Sequence, residues 1–261
     1  MTRIAETDLE IYPLGLGGNT FGNTTDAAAS ETVLDAFVDR GGNFIDTADS
    51  YAHWVPGNRG GESETILGEW MRRRGNRQEV MIATKVGGHP EFKGLAPETV
   101  ARAADASLQR LQTDYIDLYQ LHEPDPEVPM AETLGALDQL VQEGLVREVG
   151  CSNFSAEQLR EAAEAAADSP YVSVQNEYSL LNREPEGDGV LAECERQGIA
   201  FIPFYPLAGG MLSGKYRKGR AEPEGTRLTS GKRNDRFLNE RNLELVESLA
   251  TFAEGRGRSL L

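Results

Sequence analysis

The sequence predicts an α/β fold, a (β/α)8 barrel lacking its last strand–helix unit, and three observations carry the prediction. Short apolar, β-rich runs alternate with helical patterns along the chain. The runs end near residues 17, 46, 85, 122, 152, 176 and 205, and the spacing between ends suits one strand, one helix and two turns. Polar residues stand at the carboxyl ends of the runs: Asp46, Lys85, His122, Ser152 with Asn153, and Gln175 with Asn176. A barrel gathers such ends around one mouth, whereas an open sheet spreads them along a line.

Each unit has its own local signature. The first run is IYPLGLG at 11–17, followed by a stripe of Val33, Leu34, Phe37 and Val38 that Gly41 and Gly42 stop. NFID at 43–46 is the second run, and Ile66, Leu67, Trp70 and Met71 repeat the stripe before Gly75, with Trp70 assigned to the core. VMIATK at 80–85 is the third; Pro97 opens the helix after it, with Val100, Ala104, Leu108 and Leu111 on one face. YIDLYQLH at 115–122 precedes a helix over 130–141 that Gly144 ends, and VREVGCS at 146–152 precedes one that Ser155 caps and that runs to 167. VSVQN at 172–176 leads to a helix over 190–196, and AFIPFY at 200–205 is the seventh run, with a last helix over 239–254. The Pro-, Gly- and charge-rich stretch 214–236 reads as a long loop over a site. The expectation is a single domain over 1–261, C-terminally incomplete, because seven strands are found where eight close a barrel.

Composition narrows the function. The 261 residues carry 42 Asp and Glu against 26 Lys and Arg, a formal charge of −16. That balance argues against nucleic acid, which needs clustered cations, and against anionic membrane surfaces. No run of 18 apolar residues predicts a spanning helix, and the opening MTRIAETDLE lacks the blocks of a signal peptide. Cys151 and Cys194 are the only cysteines, which points to a reducing, cytoplasmic setting. Only five of the basic residues are Lys, so a salt-rich cytoplasm is a further expectation, which stability in dilute buffer would refute.

Four strand-end groups suggest acid–base chemistry. A Tyr phenol titrates near 10 when free, and a neighbouring cation makes it a useful acid closer to neutrality. Lys85 is placed to be that cation for Tyr51, Asp46 to keep Lys85 charged, and His122 to orient a carbonyl. Taken alone, each has an ordinary role: Asp46 as a turn cap, Tyr51 as a loop aromatic, Lys85 as a snorkelling chain, His122 as a structural imidazole. GLGGNT at 15–20 falls short of a dinucleotide fingerprint because its last position is Thr20, and no Cys/His set has zinc spacing.

The runs GGNFIDTADSY (41–51), ATKVG (83–87), RLQTDYIDLYQLHEPD (110–125), GCSNFS (150–155), VQNEYSLLNRE (174–184) and IPFYPLAGGMLSGKY (202–216) resemble the aldo-keto reductases, collinearly from about residue 8 to residue 260. The resemblance implies a (β/α)8 barrel that reduces aldehydes or ketones with NADPH, NADH being left open. It implies a catalytic tetrad of Asp46, Tyr51, Lys85 and His122, with Tyr51 the proton donor. Ser152, Asn153 and Gln175 would hold the nicotinamide carboxamide and Phe204 would stack. Backbone near Leu207, Ala208 and Gly210, with Lys215, would face the pyrophosphate. Gly18, Asn19 and Thr20 would border the same mouth, and His53 and Trp54 would line the substrate pocket. No metal is implied, and the partner is a small carbonyl compound. The stretch that grips the adenosine 2′-phosphate in the family lies beyond the seventh unit, so weak cofactor binding and poor stability are expected of a chain ending at Leu261. Two other readings compete. One is a nucleotide-sensing regulatory subunit, as in the potassium-channel β-subunits of the family. The other is a lyase or isomerase with a Lys85 Schiff base, which a charged Lys85 would disfavour.

Overall fold

Seven strands follow one another across one sheet in chain order, which is the winding of a (β/α)8 barrel. The computed structural model describes residues 1–166, 168–229 and 234–261. Ala167, the expected end of the fifth helix, and residues 230–233 of the expected 214–236 loop lie outside the described residues.

The strands are β1 (Leu16–Gly17), β2 (Phe44–Asp46), β3 (Met81–Val86), β4 (Ile116–Leu121), β5 (Val146–Ser152), β6 (Ser173–Glu177) and β7 (Ala200–Phe204). The pairs from β1 to β6 are parallel. The register sets Asp46 opposite Ala83, Lys85 opposite Gln120, Gln120 opposite Gly150, and Ser152 opposite Gln175. Strands β3 and β4 are buried on both faces, as parallel strands under helices must be.

Helices α1 (Ala27–Val38), α2 (Glu62–Arg74), α3 (Pro97–Leu111), α4 (Met130–Gln142), α5 (Ala156–Ala165), α6 (Val190–Gln197) and α7 (Glu240–Glu254) match the seven expected ones within a few residues at their ends. Their boundaries have local causes. Asp26 accepts from Ala29 N at 2.8 Å to start α1. Ser155 and Gln158 form a capping box on α5. Gly75 and Gly198 close α2 and α6 in the left-handed conformation.

The chain divides into two compact units. The first, Met1–Gln175 with Gly189–Ile202, holds β1 to β5, helices α1 to α6 and the sheet core. The predicted run 11–17 is split there. Pro13 cannot donate to a ladder, so Glu10–Ile11 pairs back on Thr2–Arg3 as a hairpin and only Leu16–Gly17 enters the sheet. The hairpin is a plug: Ile4, Leu9 and Ile11 cluster with Phe44, Ala83 and Leu118. Trp70 is fully buried, and its indole N–H donates to Asp35 at 2.8 Å. The second unit, Asn176–Asp188 with Pro203–Leu261, has its own core of Met211, Leu212, Tyr216, Leu228, Phe237, Leu238 and Val246. In it the described parts of 214–236 form turns without helix or strand. Among the described residues no helix is long and apolar enough to cross a membrane.

Candidate active site

The loop from β2 into α2 brings Tyr51 back to the strand ends. Three backbone bonds dock the neighbouring segments: Gly18 N to Asp46 O at 2.7 Å, Thr47 N to Ala83 O at 2.8 Å and Asp49 N to Lys85 O at 3.1 Å. Gly18 is needed for that approach, since a Cβ there would lie 2.7 Å from Ser63 Oγ. Asn19 and Thr20 follow it, half-buried, and Thr20 O closes the next turn by accepting from Asn23 N and Thr25 N. Directly after Tyr51 the chain turns through Ala52, which is fully buried with φ +71°. Alanine in that conformation costs about 1 kcal/mol or more.

The four expected tetrad residues meet. Lys85, 1 % exposed, places Nζ 2.7 Å from both carboxylate oxygens of Asp46, 2.8 Å from Thr47 O and 3.2 Å from the Tyr51 hydroxyl. The snorkelling alternative is thereby removed. Burial works against the charge on Lys85, but Asp46 and then Tyr51 outweigh it and hold the ammonium above its ordinary value. The His122 ring stands 6.0 Å from the Tyr51 ring, edge to face. Burial, and next the Lys85 charge, depress the imidazole to about 4 against the opposing pull of Asp46, so it is neutral at physiological pH. Its Nδ1 lies 3.4 Å from Ser50 Oγ.

Two further residues converge on Asp46. Gln175 donates from Nε2 to Asp46 Oδ1 at 2.9 Å, and Gln120 does so at 3.4 Å. Sequence reasoning missed Gln120. The available signal was an amide inside the apolar run IDLYQL, on the face it shares with Ile116 and Leu118. It also missed Ser50 and Asp49, polar residues of the loop between Asp46 and Tyr51.

The expected carboxamide set lies on the same unit. Ser152 donates to Gln175 O at 2.7 Å; Asn153 Nδ2 donates to His122 O at 3.0 Å and to Ser152 Oγ at 3.1 Å. With the amide N–H groups spent within the protein, the amide oxygens are suited to an external N–H donor. His53 and Trp54 are exposed next to Tyr51. Trp54, 51 % exposed, stands edge-on to Tyr51 at 6.4 Å and to His53 at 5.2 Å.

The remaining expected residues belong to the second unit. There Phe204 packs edge-on against Tyr205 at 5.4 Å, Leu207 is exposed and Ala208 is buried. Gly209 and Gly210 follow with φ +66° and +100°. A Cβ on Gly210 would stand 3.3 Å from Lys215 Nζ, so the absent side chain leaves backbone and an exposed ammonium side by side. That cradle suits a phosphate group.

The sequence model of the Aldo/keto reductase family matches residues 13–261. The chain is 34 % identical to Protein tas of Escherichia coli over 98 % of its own length and 81 % of that protein. It is 34 % identical to the aldo-keto reductase yakc of Schizosaccharomyces pombe, whose name carries NADP(+), over 86 % of its own length and 66 % of that protein. It is 32 % identical to a probable voltage-gated potassium channel subunit beta of Arabidopsis thaliana, over 97 % and 76 %. The chain belongs to the Aldo/keto reductase family. It is an oxidoreductase by class, of a family that uses NAD(P)H and acts on small carbonyl compounds.

Proposed function

We propose that the protein reduces aldehydes or ketones to alcohols, with NADPH as the hydride source and Tyr51 as the proton donor. The observation that carries this is the buried Lys85 ammonium, tied to Asp46 and 3.2 Å from the Tyr51 hydroxyl. A positive charge at that distance stabilises the phenolate and so makes the phenol a better acid. Asp46 keeps the ammonium charged and aimed. Gln120 and Gln175 hold Asp46 in turn.

His122 has the complementary task. In the neutral tautomer whose Nδ1 accepts from Ser50 Oγ, 3.4 Å away, the imidazole carries its proton on Nε2 and can donate to a substrate carbonyl oxygen. That donation orients the carbonyl for protonation by Tyr51. Trp54 and His53 supply an aromatic wall beside the reacting group.

When bound, the nicotinamide supplies the hydride. On this chain Asn153 and Gln175 would offer amide oxygens to its carboxamide, with Ser152 bracing both, and Gly18, Asn19 and Thr20 would border the mouth. Phe204 would supply a stacking face, and Leu207, Ala208, Gly210 and Lys215 would take phosphate. Residues 1–261 would carry this one activity, in the cytoplasm.

The test is NADPH oxidation followed at 340 nm with a reactive aromatic aldehyde, on the wild type and Tyr51→Phe. Turnover in the wild type is expected to fall by a factor of about 10³ or more in the variant, with NADPH affinity unchanged. Near-full turnover in Tyr51→Phe would refute the proton-donor role. Tight NADPH binding without turnover in the wild type would favour nucleotide sensing instead.

A further inference from the structure

The loop 47–51 serves a second cluster of ionisable groups besides the tetrad. Asp49 is fully buried, and among the described residues neither of its carboxyl oxygens has a well-formed hydrogen bond. The groups facing it come from several elements, and the buried His89 stands beside the same cluster, its imidazole held below its ordinary value by burial and then by the Arg110 charge. Glu64 of α2, also fully buried, accepts from Arg110 Nε of α3 at 2.7 Å and from Thr84 Oγ1 of β3 at 2.5 Å. Tyr119 of β4 is fully buried with a hydroxyl that makes no hydrogen bond, and it interacts electrostatically with both carboxyl groups. The backbone N–H groups of Gly87 and Ser50 also face Asp49.

The arithmetic of charge in this cluster is uneven. With the His89 imidazole depressed, Arg110 is the permanent cation among the groups named, and Glu64 already pairs with it at 2.7 Å. A second carboxylate at Asp49 would be a buried anion with no cation of its own and only two backbone N–H groups near it, which is a costly state for a side chain. A neutral acid avoids that cost. Asp49 also anchors the catalytic loop, because its backbone N–H bonds Lys85 O, two residues before Tyr51.

We propose that Asp49 is a pH-sensitive positioning residue, which as the neutral acid lets the loop 47–51 seat Tyr51 against Lys85 and which on ionising unseats it. Burial first, and then the Glu64 charge, push its carboxyl up to about 8, against the opposing influence of Arg110 and the two backbone N–H groups. The folded protein therefore holds a proton that the unfolded chain has released. Its stability falls as pH rises from the ordinary aspartate value toward about 8, and the loss is complete above that. The claim that this seating controls turnover rests on the reductase reading; the claim about stability does not.

Asp49→Asn tests both, since asparagine keeps the shape and stays neutral. Urea unfolding of both proteins is measured from pH 5 to 9. The folding constant of the wild type is expected to fall relative to the variant by about tenfold per pH unit up to about 8, then to level. The kcat profile for aldehyde reduction is expected to drop above about pH 8 in the wild type and to lose that limb in the variant. Parallel stability curves would overturn the proposal. So would an alkaline limb that survives in Asp49→Asn, because it would then belong to Tyr51. Absence of turnover in both proteins would sink the reductase reading and leave the stability curves to decide on Asp49. Should the variant fail to fold, the wild type alone decides: a stability that does not fall between pH 6.5 and 8 refutes the inference.

Discussion

Lys85 Nζ sits 2.7 Å from each carboxylate oxygen of Asp46, with Lys85 almost fully buried and the Asp46 side chain 15 % exposed. An ammonium taken out of water needs this compensation, and Thr47 O and the Tyr51 hydroxyl add to it. The pair is thus a condition for the site's existence.

Asp46→Asn is accordingly expected to destabilise the fold by about 3–5 kcal/mol, the usual cost of leaving a buried charge unpaired. Asp46→Asn with Lys85→Met removes both charges and is expected to recover part of that loss. Urea midpoints of the two variants check it; a double variant no more stable than the single one would contradict the ion-pair account.

The depressed His122 carries a pH prediction of opposite sign to Asp49. The unfolded chain binds a proton near 6.5 that the folded protein accepts only near about 4. Stability therefore rises with pH between those values and is fully recovered above the upper one. Direct NMR titration of the imidazole is expected to show its midpoint near 4, and Lys85→Met is expected to move that midpoint upward. An imidazole titrating at its ordinary value would remove the basis for a neutral hydrogen-bond donor.

Gly68 tests the packing that holds α2 in place. A Cβ there would stand 2.2 Å from Arg110 O and 2.9 Å from Leu111 Cα, both backbone atoms. Gly68→Ala must push α2 away from the end of α3, in the region where Glu64 meets Arg110. A loss of roughly 1–3 kcal/mol is expected, read as a lower urea midpoint at unchanged slope. An unchanged midpoint would mean that the two helices are not locked together.

The elements were legible because each is a local pattern. The stripe Val100, Ala104, Leu108 and Leu111 marks α3, and all four residues are buried. The seven strands follow from apolar runs bounded by Gly, Pro and polar residues. The hairpin of Thr2–Arg3 with Glu10–Ile11 was not legible, since two-residue strands leave no period to read. The antiparallel pair Gly88–His89 with Phe92–Lys93 escaped for the same reason.

Sequence by itself determined the order of strands and helices, the family, and the four residues Asp46, Tyr51, Lys85 and His122 as a set. It did so because residue types at strand ends and motif spacing are one-dimensional properties. Only the tertiary structure decided what those residues touch. Gln175 reaches Asp46 across 129 positions of chain and Gln120 across 74. Asp49, three residues from Asp46, turns out buried and unpaired beside Glu64. Burial and charge balance are sums over neighbours brought together by folding, and no local run of sequence contains them.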